Sequence, residues 1–242
     1  MHSENTENNL MLELCHVSLS YGKKTGHKGV HQVLDSVSLR LYQGETLGII
    51  GENGCGKTTI LRLMAGILGP TRGQVKQRPD TSSALLTIGL GFRPQLSGRD
   101  NAIIAAMLQG STLREAELFL EEIKDFSELG DAFDEPVKTY SAGMKSRLGF
   151  TTALLTHVDI MLIDEVLSVG DAHFREKAEA ALKQRIAGEQ TVVFVSHSSG
   201  QIESLCDRAV WLYRGKIAAE GDTSDVVSAY HQNLSLMKKG SA

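Results

Sequence analysis

The sequence has few cysteines and prolines, a single tryptophan and no long apolar run. Its 242 residues include three cysteines, at 15, 55 and 206, whose spacing fits no metal site and predicts free thiols in a reducing compartment, by default the cytoplasm. No stretch approaches the roughly 18 apolar residues of a membrane-spanning helix. The polar start, MHSENTENN, lacks the apolar core of a secretory signal. Any role at a membrane therefore requires a separate membrane partner.

The sequence also lacks an excess of positive charge. Lysine and arginine number 25 against 29 aspartates and glutamates, which gives a formal net charge of −4. Nucleic-acid-binding domains usually carry a basic field, so this balance weakens a role on DNA or RNA. A hydrophobic content of 41% over this length is enough for one large folded domain with an inserted subdomain.

Apolar patterns predict an α/β architecture. Short apolar bursts predict strands, at 10–21, 37–42, 45–50, 84–89, 160–165, 191–197 and within 208–221. Apolar residues at helical spacing predict helices, at 58–68, 98–110, 111–126, 141–157, 172–187, 199–205 and 222–236. Residues 70–83 are predicted to be a turn-rich connection. Apolar strands joined by helices indicate a buried, mostly parallel sheet, and the helices over 98–157 indicate a helical subdomain.

The strongest local motif is GENGCGKT, at 51–58, between a predicted strand and a predicted helix. It fits the phosphate-binding pattern G-x-x-x-x-G-K-[ST]. Gly54 and Gly56 leave backbone N–H groups open to phosphate oxygens. Lys57 can reach the β- and γ-phosphates, and Thr58 can ligate Mg²⁺. The motif alone names no reaction, since kinases and GTPases share it.

Two further strand ends carry polar side chains that complete such a site. The strand IMLI leads to Asp164 and Glu165, where a Mg²⁺ partner and a base for the attacking water belong. The strand TVVFV leads to Ser196 and His197, on the sheet edge that a phosphate loop also occupies. These side chains predict a site that hydrolyses a nucleotide.

Together these motifs resemble those of the ATP-binding cassette ATPases, and the resemblance covers nearly the whole chain. It matches SAGM, at 141–144, to the family's signature sequence, 168–171 to its D-loop and His197 to its switch histidine. The resemblance implies a P-loop NTPase fold of the cassette type. A mostly parallel core sheet, an antiparallel β subdomain and an inserted helical subdomain at 98–157 are then expected in one nucleotide-binding domain over 1–242.

The resemblance also implies the site residues, with ATP and Mg²⁺ as ligands. The catalytic residues are then Lys57, Glu165 and His197, and the metal ligands are Thr58, Gln95 and Asp164. The nucleotide-binding residues are Tyr21, Gly51, Glu52, Asn53, Gly54, Cys55, Gly56, Lys57, Thr58, Thr59, Gln95, Ser141, Ala142, Gly143, Met144 and Asp171. Gln95 is preferred over Arg93 as the Q-loop residue, because an amide oxygen can ligate Mg²⁺ and a guanidinium cannot.

In the family two ATPase domains pack head to tail, and each signature helix points its N-terminus at the γ-phosphate held by the other subunit. A helix N-terminus carries about half a positive charge and free N–H groups, which suits a growing negative charge. Ser141 and Gly143 therefore complete the site of a second copy of the chain, and a homodimer is the expected active unit.

Departures from the common signature point to one subgroup. Tyr140 and Met144 replace the usual leucine and glutamine, and with GLGFRPQLSGRDN at 89–101 they resemble ATPases that energise export of lipid-linked polysaccharides such as O-antigen, capsule or teichoic acid. The implied partners are a separate polytopic membrane subunit, two copies of each, and a lipid-linked glycan, with no nucleic acid. The expected location is the cytoplasmic face of the inner membrane, and no C-terminal carbohydrate-binding domain is expected.

Several alternatives stay open at this point. An ATPase subunit of a nutrient importer differs only in the signature and Q-loop variants. A nucleic-acid or ribosome factor built on the same cassette is disfavoured, because the chain has one cassette and no heptad run, and a phosphate-loop kinase would not explain the signature helix. The basic loop 22–31 is either a solvated loop or a contact for anionic lipid. Cys55 is either a small filler residue or a thiol whose modification blocks hydrolysis.

Overall fold

A computed structural model describes residues 9–22, 30–86, 92–164 and 170–240. The chain forms two compact units, one of residues 1–81 with 188–242 and one of residues 82–187. The elements in chain order are β1 (Leu10–Gly22), β2 (Val30–Tyr42), β3 (Thr46–Ile50), α1 (Lys57–Met64), β4 (Arg72–Gln77), β5 (Ser83–Leu86), α2 (Gly98–Leu108), α3 (Leu113–Leu118), α4 (Leu120–Ser127), two short 3₁₀ helices (Gly130–Asp134 and Val137–Thr139), α5 (Ala142–Leu155), β6 (Ile160–Asp164), α6 (Ala172–Ile186), β7 (Thr191–Ser196), α7 (Ser199–Leu205), β8 (Arg208–Tyr213), β9 (Lys216–Asp222) and α8 (Thr223–Gly240).

The first unit contains an antiparallel sheet in the order β2-β1-β4. β4 lies inside the segment 70–83 that was predicted as turns, and that prediction is wrong. Five of its six residues are exposed and the sixth is half-buried, so it has no apolar face for the sequence to reveal. Its conformation follows from backbone pairing with β1. β2 begins at Val30, seven residues before the predicted start at 37. The apolar pattern missed this first half because it is polar and irregular, with Ser36 at a φ of 52°.

The same unit contains strands in the order β7-β3-β8-β9. The first three are parallel and β9 is antiparallel to β8. Every residue of β3 and β7 is buried, as their mostly apolar sequences predict for central parallel strands. α1 ends at Met64, four residues before the predicted stop. Gly66 ends it by adopting a φ of 68°, a left-handed conformation that costs glycine little.

The second unit pairs β5 with β6 in parallel and carries the helices α2 to α6. A cluster of buried side chains joins α2, α4 and α5: Ala102, Leu120, Ile123, Leu129, Phe133, Val137, Tyr140 and Leu148. The helix predicted over 111–126 is two helices, α3 and α4, which meet at Phe119. The ring of Phe119 turns onto this cluster, and its N–H closes the last turn of α3 on the Ala116 carbonyl at 3.3 Å.

The spacing of Met144, Leu148, Thr151 and Leu155 predicts one apolar face on α5, and the structure departs from that prediction. Its second half is buried on all sides from Leu148 to Leu154. Thr152 is accommodated there because its hydroxyl donates to the Leu148 carbonyl at 2.8 Å. In the part of the chain that the structure describes, no helix combines the length and apolarity needed to cross a membrane.

Candidate functional site

The phosphate-loop motif lies where the sequence predicts it, between β3 and α1. Ile50, the last residue of β3, is opposite Ser196 of β7 on one side and Trp211 of β8 on the other. The loop 51–56 therefore leaves the carboxyl end of a central parallel strand. This edge is the usual ligand-binding edge of such sheets.

Three loop positions favour glycine, two because of the space around them and two because of their backbone angle. A Cβ on Gly51 would lie 2.4 Å from the Leu212 carbonyl oxygen, and one on Gly56 would lie 2.7 Å from Cδ2 of Leu34. Gly56 also has a φ of 112°, and Gly54, with open space around it, has a φ of 79°. Both angles favour glycine. The loop is thus held from behind by β2 and β8, which the sequence analysis did not foresee.

The turn between β8 and β9 fixes the loop directly. The Gly215 N–H donates to the Cys55 carbonyl at 3.1 Å, and the Gly215 carbonyl accepts from the Asp35 N–H at 2.9 Å. Gly215 has a φ of 77°, and a Cβ there would lie 2.4 Å from the Val33 carbonyl oxygen. The hairpin turn was visible in the sequence as Arg214-Gly215, but nothing in the sequence links it to a loop so far away along the chain.

Lys57 carries its charge into the loop. Its side chain is buried, and its ammonium donates to the Gly51 carbonyl at 2.7 Å and to the Glu52 carbonyl at 3.0 Å. No described side chain caps the N-terminus of α1, and its first turn contains no acidic residue. Thr58 and Thr59 are half-buried in that turn. Backbone N–H groups and a desolvated ammonium at one helix start are suited to binding phosphate.

The remaining residues of the loop differ in their exposure to solvent. Glu52, Asn53 and Gly54 are exposed, whereas Cys55 is buried. Burial raises the pKa of the Cys55 thiol, which disfavours the reactive thiolate. The structure therefore supports the reading of Cys55 as a small filler residue and weakens the reading of it as an easily modified thiol.

His197 follows β7 on the same edge as the loop. Because Ile50 and Ser196 are register partners, the residues after them, Gly51 and His197, leave neighbouring strand ends side by side. His197 is exposed, and the buried Ser196 hydroxyl donates to Oε1 of Gln201 at 2.8 Å and accepts from the Ser198 N–H at 3.0 Å. These bonds fix the backbone that presents the imidazole.

Tyr21 lies near the end of β1, opposite His31, and its side chain is 44% exposed. An exposed aromatic ring at a strand end is available for stacking on a planar ligand. Lys23, Lys24 and Lys28 of the basic loop fall outside the described residues, so its two readings stay as predictions.

The other predicted site residues belong to the second unit. Asp164 ends β6 and is half-buried. Glu165 and Ser168 lie outside the described residues. The start of β6 is clamped to β5, since the Ser82 N–H and hydroxyl both donate to Oδ2 of Asp159, at 2.6 and 2.8 Å. Among the residues that the structure describes, no cluster of three or more histidine, cysteine, aspartate or glutamate side chains could hold a metal ion.

Ser141 begins the signature helix α5 as its N-cap, with its hydroxyl oxygen accepting from the Met144 N–H at 3.2 Å. The hydroxyl hydrogen stays available to a ligand, because a serine hydroxyl accepts and donates at once. Ser141 and Ala142 are exposed, Gly143 and Met144 are half-buried, and the first turn contains no acidic residue. The structure thus places an exposed Ser141 at a helix start, and its role toward an anion stays a prediction.

Asp171 has structural partners that the sequence analysis missed. It is the N-cap of α6, where its Oδ1 accepts from the Phe174 N–H at 3.0 Å, and its Oδ2 contacts the Arg147 guanidinium. The backbone bond from Phe174 and the charge of Arg147 lower the pKa of Asp171. Arg147 also bonds Glu128 at 3.2 Å and lies 5.0 Å from the ring centre of Phe174. Asp171 thus joins α6 to the signature helix.

Gln95 and Arg93, the two Q-loop alternatives, are both exposed in the turn before α2. The backbone of Arg93 is fixed on both sides by Asn101, whose Oδ1 accepts from the Arg93 N–H at 2.6 Å and whose Nδ2 donates to the Arg93 carbonyl at 3.0 Å. Gln95 lies at the tip of this turn. The sequence analysis did not single out Asn101.

Comparisons with known proteins show the family to which the chain belongs. The model of the family described as ABC transporter matches residues 34–168. The chain is 42% identical over 205 residues to the ABC transporter protein AbcA of Aeromonas salmonicida, covering 85% of this chain and 66% of that protein. It is 43% identical over 209 residues to the O-antigen export system ATP-binding protein RfbB of Myxococcus xanthus, covering 86% of this chain and 48% of that protein. It is 44% identical over 199 residues to the teichoic acids export ATP-binding protein TagH of Levilactobacillus brevis, covering 82% of this chain and 55% of that protein.

Solved structures show the same fold at lower identity. A dimeric ATP-binding cassette in a post-hydrolysis state, bound to ADP and Pi, superposes with a TM-score of 0.72 at 22% identity, covering 88% of this chain and 99% of that one. The ATP-binding subunit of an ABC transporter gives a TM-score of 0.74 at 22% identity, covering 91% and 93%. The cassette fold predicted from the sequence is confirmed. The chain spans about half to two thirds of the length of the curated relatives named above.

Proposed function

The chain belongs to the ABC transporter family, and from that premise we propose that it is the ATP-hydrolysing subunit of an exporter for a lipid-linked polysaccharide. The observation that carries the proposal is identity of about two residues in five to proteins named for O-antigen export and for teichoic acids export, over more than four fifths of the chain. The signature variants at Tyr140 and Met144, which pointed to the same subgroup, support it. An importer ATPase would explain neither the identity to these export proteins nor the signature variants.

ATP binding is assigned to the first unit. The N–H groups of the 51–58 loop and the ammonium of Lys57 surround the phosphates, and the exposed ring of Tyr21 stacks on the adenine. On binding, the Lys57 ammonium exchanges its two loop carbonyls for phosphate oxygens. The loop keeps its shape during this exchange because Leu212, Gly215 and Leu34 hold it from behind.

We assign Mg²⁺ to three residues that carry oxygen donors. The hydroxyl of Thr58, the amide oxygen of Gln95 and the carboxylate of Asp164 are all oxygen donors, and the first and last are half-buried rather than enclosed. Mg²⁺ prefers such oxygens and is usually held by one or two carboxylates together with substrate phosphates. When bound, the ion neutralises phosphate charge and orients the reacting group. Glu165 accepts a proton from the attacking water, and His197 contacts the γ-phosphate.

A second copy of the chain completes each site. The N-terminus of α5, with Ser141 exposed and no acidic residue in its first turn, is directed at the γ-phosphate of the other copy. The dimer works on the cytoplasmic face of the membrane beside a separate transmembrane subunit, also in two copies. Residues 98–157 act as a helical subdomain within a single nucleotide-binding domain.

The proposal is tested with Glu165→Gln and a matched control, Glu203→Gln, whose carboxyl is exposed on α7. Loss of a general base typically lowers the rate by about 10² to 10⁴. We expect Glu165→Gln to bind ATP without turnover and to abolish delivery of surface polysaccharide in cells, with Glu203→Gln unchanged in both assays. Wild-type hydrolysis by Glu165→Gln would refute the catalytic assignment. Normal surface polysaccharide together with impaired uptake of a nutrient would instead favour the importer.

A further inference from the structure

The turn that carries Gln95 is tied to a single buried amide. Asn101 on α2 is 1% exposed, and in addition to its two bonds with Arg93 its Nδ2 donates to the Leu96 carbonyl at 3.2 Å and to the Ser97 carbonyl at 2.8 Å. A buried amide that bonds four backbone groups restrains the shape of a turn, and without it the Arg93 N–H would lose the bond to Oδ1. The exposed side chain of Gln95 is therefore presented by a rigid turn.

The same turn is hydrogen-bonded to the segment that leads into the signature helix. The Val137 N–H donates to the Leu96 carbonyl at 2.9 Å, the Lys138 N–H to the Pro94 carbonyl at 2.8 Å, and the Gly98 N–H to the Glu135 carbonyl at 3.2 Å. Ser97 and Pro136 form an antiparallel bridge between these bonds. Residues 94–98 and 135–138 thus form a short ladder, which ends three residues before Ser141.

Tyr140 closes the gap between the ladder and Ser141. Its side chain is 5% exposed, and its phenol donates to the Ala132 carbonyl at 2.5 Å. Burial raises the pKa of Tyr140, so the phenol is protonated and able to donate. A Cβ on Gly98 would lie 2.2 Å from the phenol oxygen and 2.8 Å from the Phe133 carbonyl oxygen, so glycine at the start of α2 leaves room for the tyrosine. The residue before the signature Ser141 is therefore packed against the end of the Gln95 turn.

We propose that Asn101 and Tyr140 are positioning residues that hold the Gln95 turn and the start of α5 together as one piece, so that a displacement of either is passed to the other. This inference rests on the proposed function, in which Gln95 and Ser141 serve the ATP sites. A push on the Gln95 turn reaches the signature helix through backbone hydrogen bonds within one compact unit, without passing through the nucleotide. Tyr140 is then part of this link, and its phenol distinguishes it from the leucine of the common signature.

The test compares three single variants with the wild-type chain. Asn101→Ala removes the four bonds of the turn, and Tyr140→Phe removes one bond next to the signature. Thr139→Ala is the control, because its hydroxyl donates to the Pro136 carbonyl at 2.8 Å, inside its own segment, rather than to a residue of 94–98. Amide hydrogen exchange is measured at Leu96, in the turn, and at Met144, in the signature helix.

We expect Asn101→Ala and Tyr140→Phe each to accelerate exchange at the distant amide as well as at the near one. Tyr140→Phe should raise the exchange rate of the Leu96 amide by roughly 2- to 10-fold, the effect of one neutral hydrogen bond. Asn101→Ala should raise that of the Met144 amide at least as much, and Thr139→Ala should leave Leu96 unchanged. Acceleration confined to the amide nearer to the substitution would overturn the proposal. So would equal effects of Thr139→Ala and Tyr140→Phe on the exchange rate of the Leu96 amide. If Asn101→Ala does not fold, Tyr140→Phe alone decides the outcome.

A kinetic measurement separates positioning from a loss of structure. Because the phosphate loop belongs to the other unit, Tyr140→Phe should lower the kcat of ATP hydrolysis several-fold and leave the KM for ATP unchanged. An equal loss through KM would indicate a general structural defect and overturn the proposal. The exchange experiment needs no nucleotide, so absence of hydrolysis by the wild-type chain would refute the proposed function while the link between turn and helix is still decided.

Discussion

Replacement of Gly51 by alanine tests the support behind the phosphate loop. The backbone of Gly51 lies outside the left-handed region, so the cost of a side chain there is steric. The added Cβ would lie 2.4 Å from the Leu212 carbonyl oxygen and 2.8 Å from Sγ of Cys55, and the first contact must open by at least 0.6 Å to reach 3.0 Å. The thiol can rotate away, but the carbonyl belongs to the backbone of β8. Overpacking of this kind costs about 1–3 kcal/mol.

That cost can be measured in two ways. If the steric cost lowers the stability of the fold, the melting temperature falls by about 2–12 °C, given about 2–4 °C per kcal/mol for a chain of this length. If the loop moves instead, the affinity for ATP falls by about 5- to 150-fold. The control is Gly200→Ala, at a glycine of α7 with open space around its Cα. Thermal melts and titration with a fluorescent ATP analogue measure both quantities. A Gly51→Ala protein within about 0.5 kcal/mol of the control in both would refute the steric argument.

Three further predictions follow from single contacts. Arg147→Lys keeps the charge but loses the planar fork that bonds two carboxylates, so we expect a lower kcat and faster amide exchange at Phe174, the residue that Asp171 caps; unchanged exchange would contradict this. Burial raises the pKa of Cys206 to about 12, so its thiol is protonated at pH 8. In the folded chain it should therefore react slowly with a thiol reagent, and the reaction should become faster as the pH rises toward 12. Complete labelling within minutes at pH 8 would contradict this. Tyr21→Ala should weaken ATP binding in a nucleotide titration and Tyr21→Phe should not, because stacking needs the ring and not the hydroxyl; equal losses would exclude stacking.

Those parts of the fold that depend on local sequence could be predicted. The phosphate loop is an example, because its glycines, its lysine and the apolar strand before it are contiguous. The buried parallel strands β3 and β7 are another, since short, mostly apolar strands without alternation predict burial on both faces. The start of α5 was also predictable, because a serine cap followed by small residues is a local signal.

Other features depend on contacts between distant residues and could not be read from the sequence. β4 has no buried face, so only its pairing with β1 reveals it. The support of the phosphate loop by Leu212 and Gly215 joins residues more than 150 positions apart along the chain. Asn101 gave no signal, because a single asparagine in a helix is usually exposed and its burial depends on the turn that it bonds. Asp171 was predicted from a family motif as a nucleotide residue, and the sequence contained no sign of its contact with Arg147.

The central claim is that each ATP site is completed by the signature helix of a second copy. It is tested most directly by analytical ultracentrifugation of the Glu165→Gln chain with and without ATP, alone and with Ser141→Arg added. Ser204→Arg, at an exposed serine of α7, is the matched control. We expect an ATP-dependent dimer for Glu165→Gln, the same dimer with Ser204→Arg, and a monomer with Ser141→Arg that still binds ATP. A full dimer in the presence of Ser141→Arg, or no dimer of Glu165→Gln at saturating ATP, would contradict it.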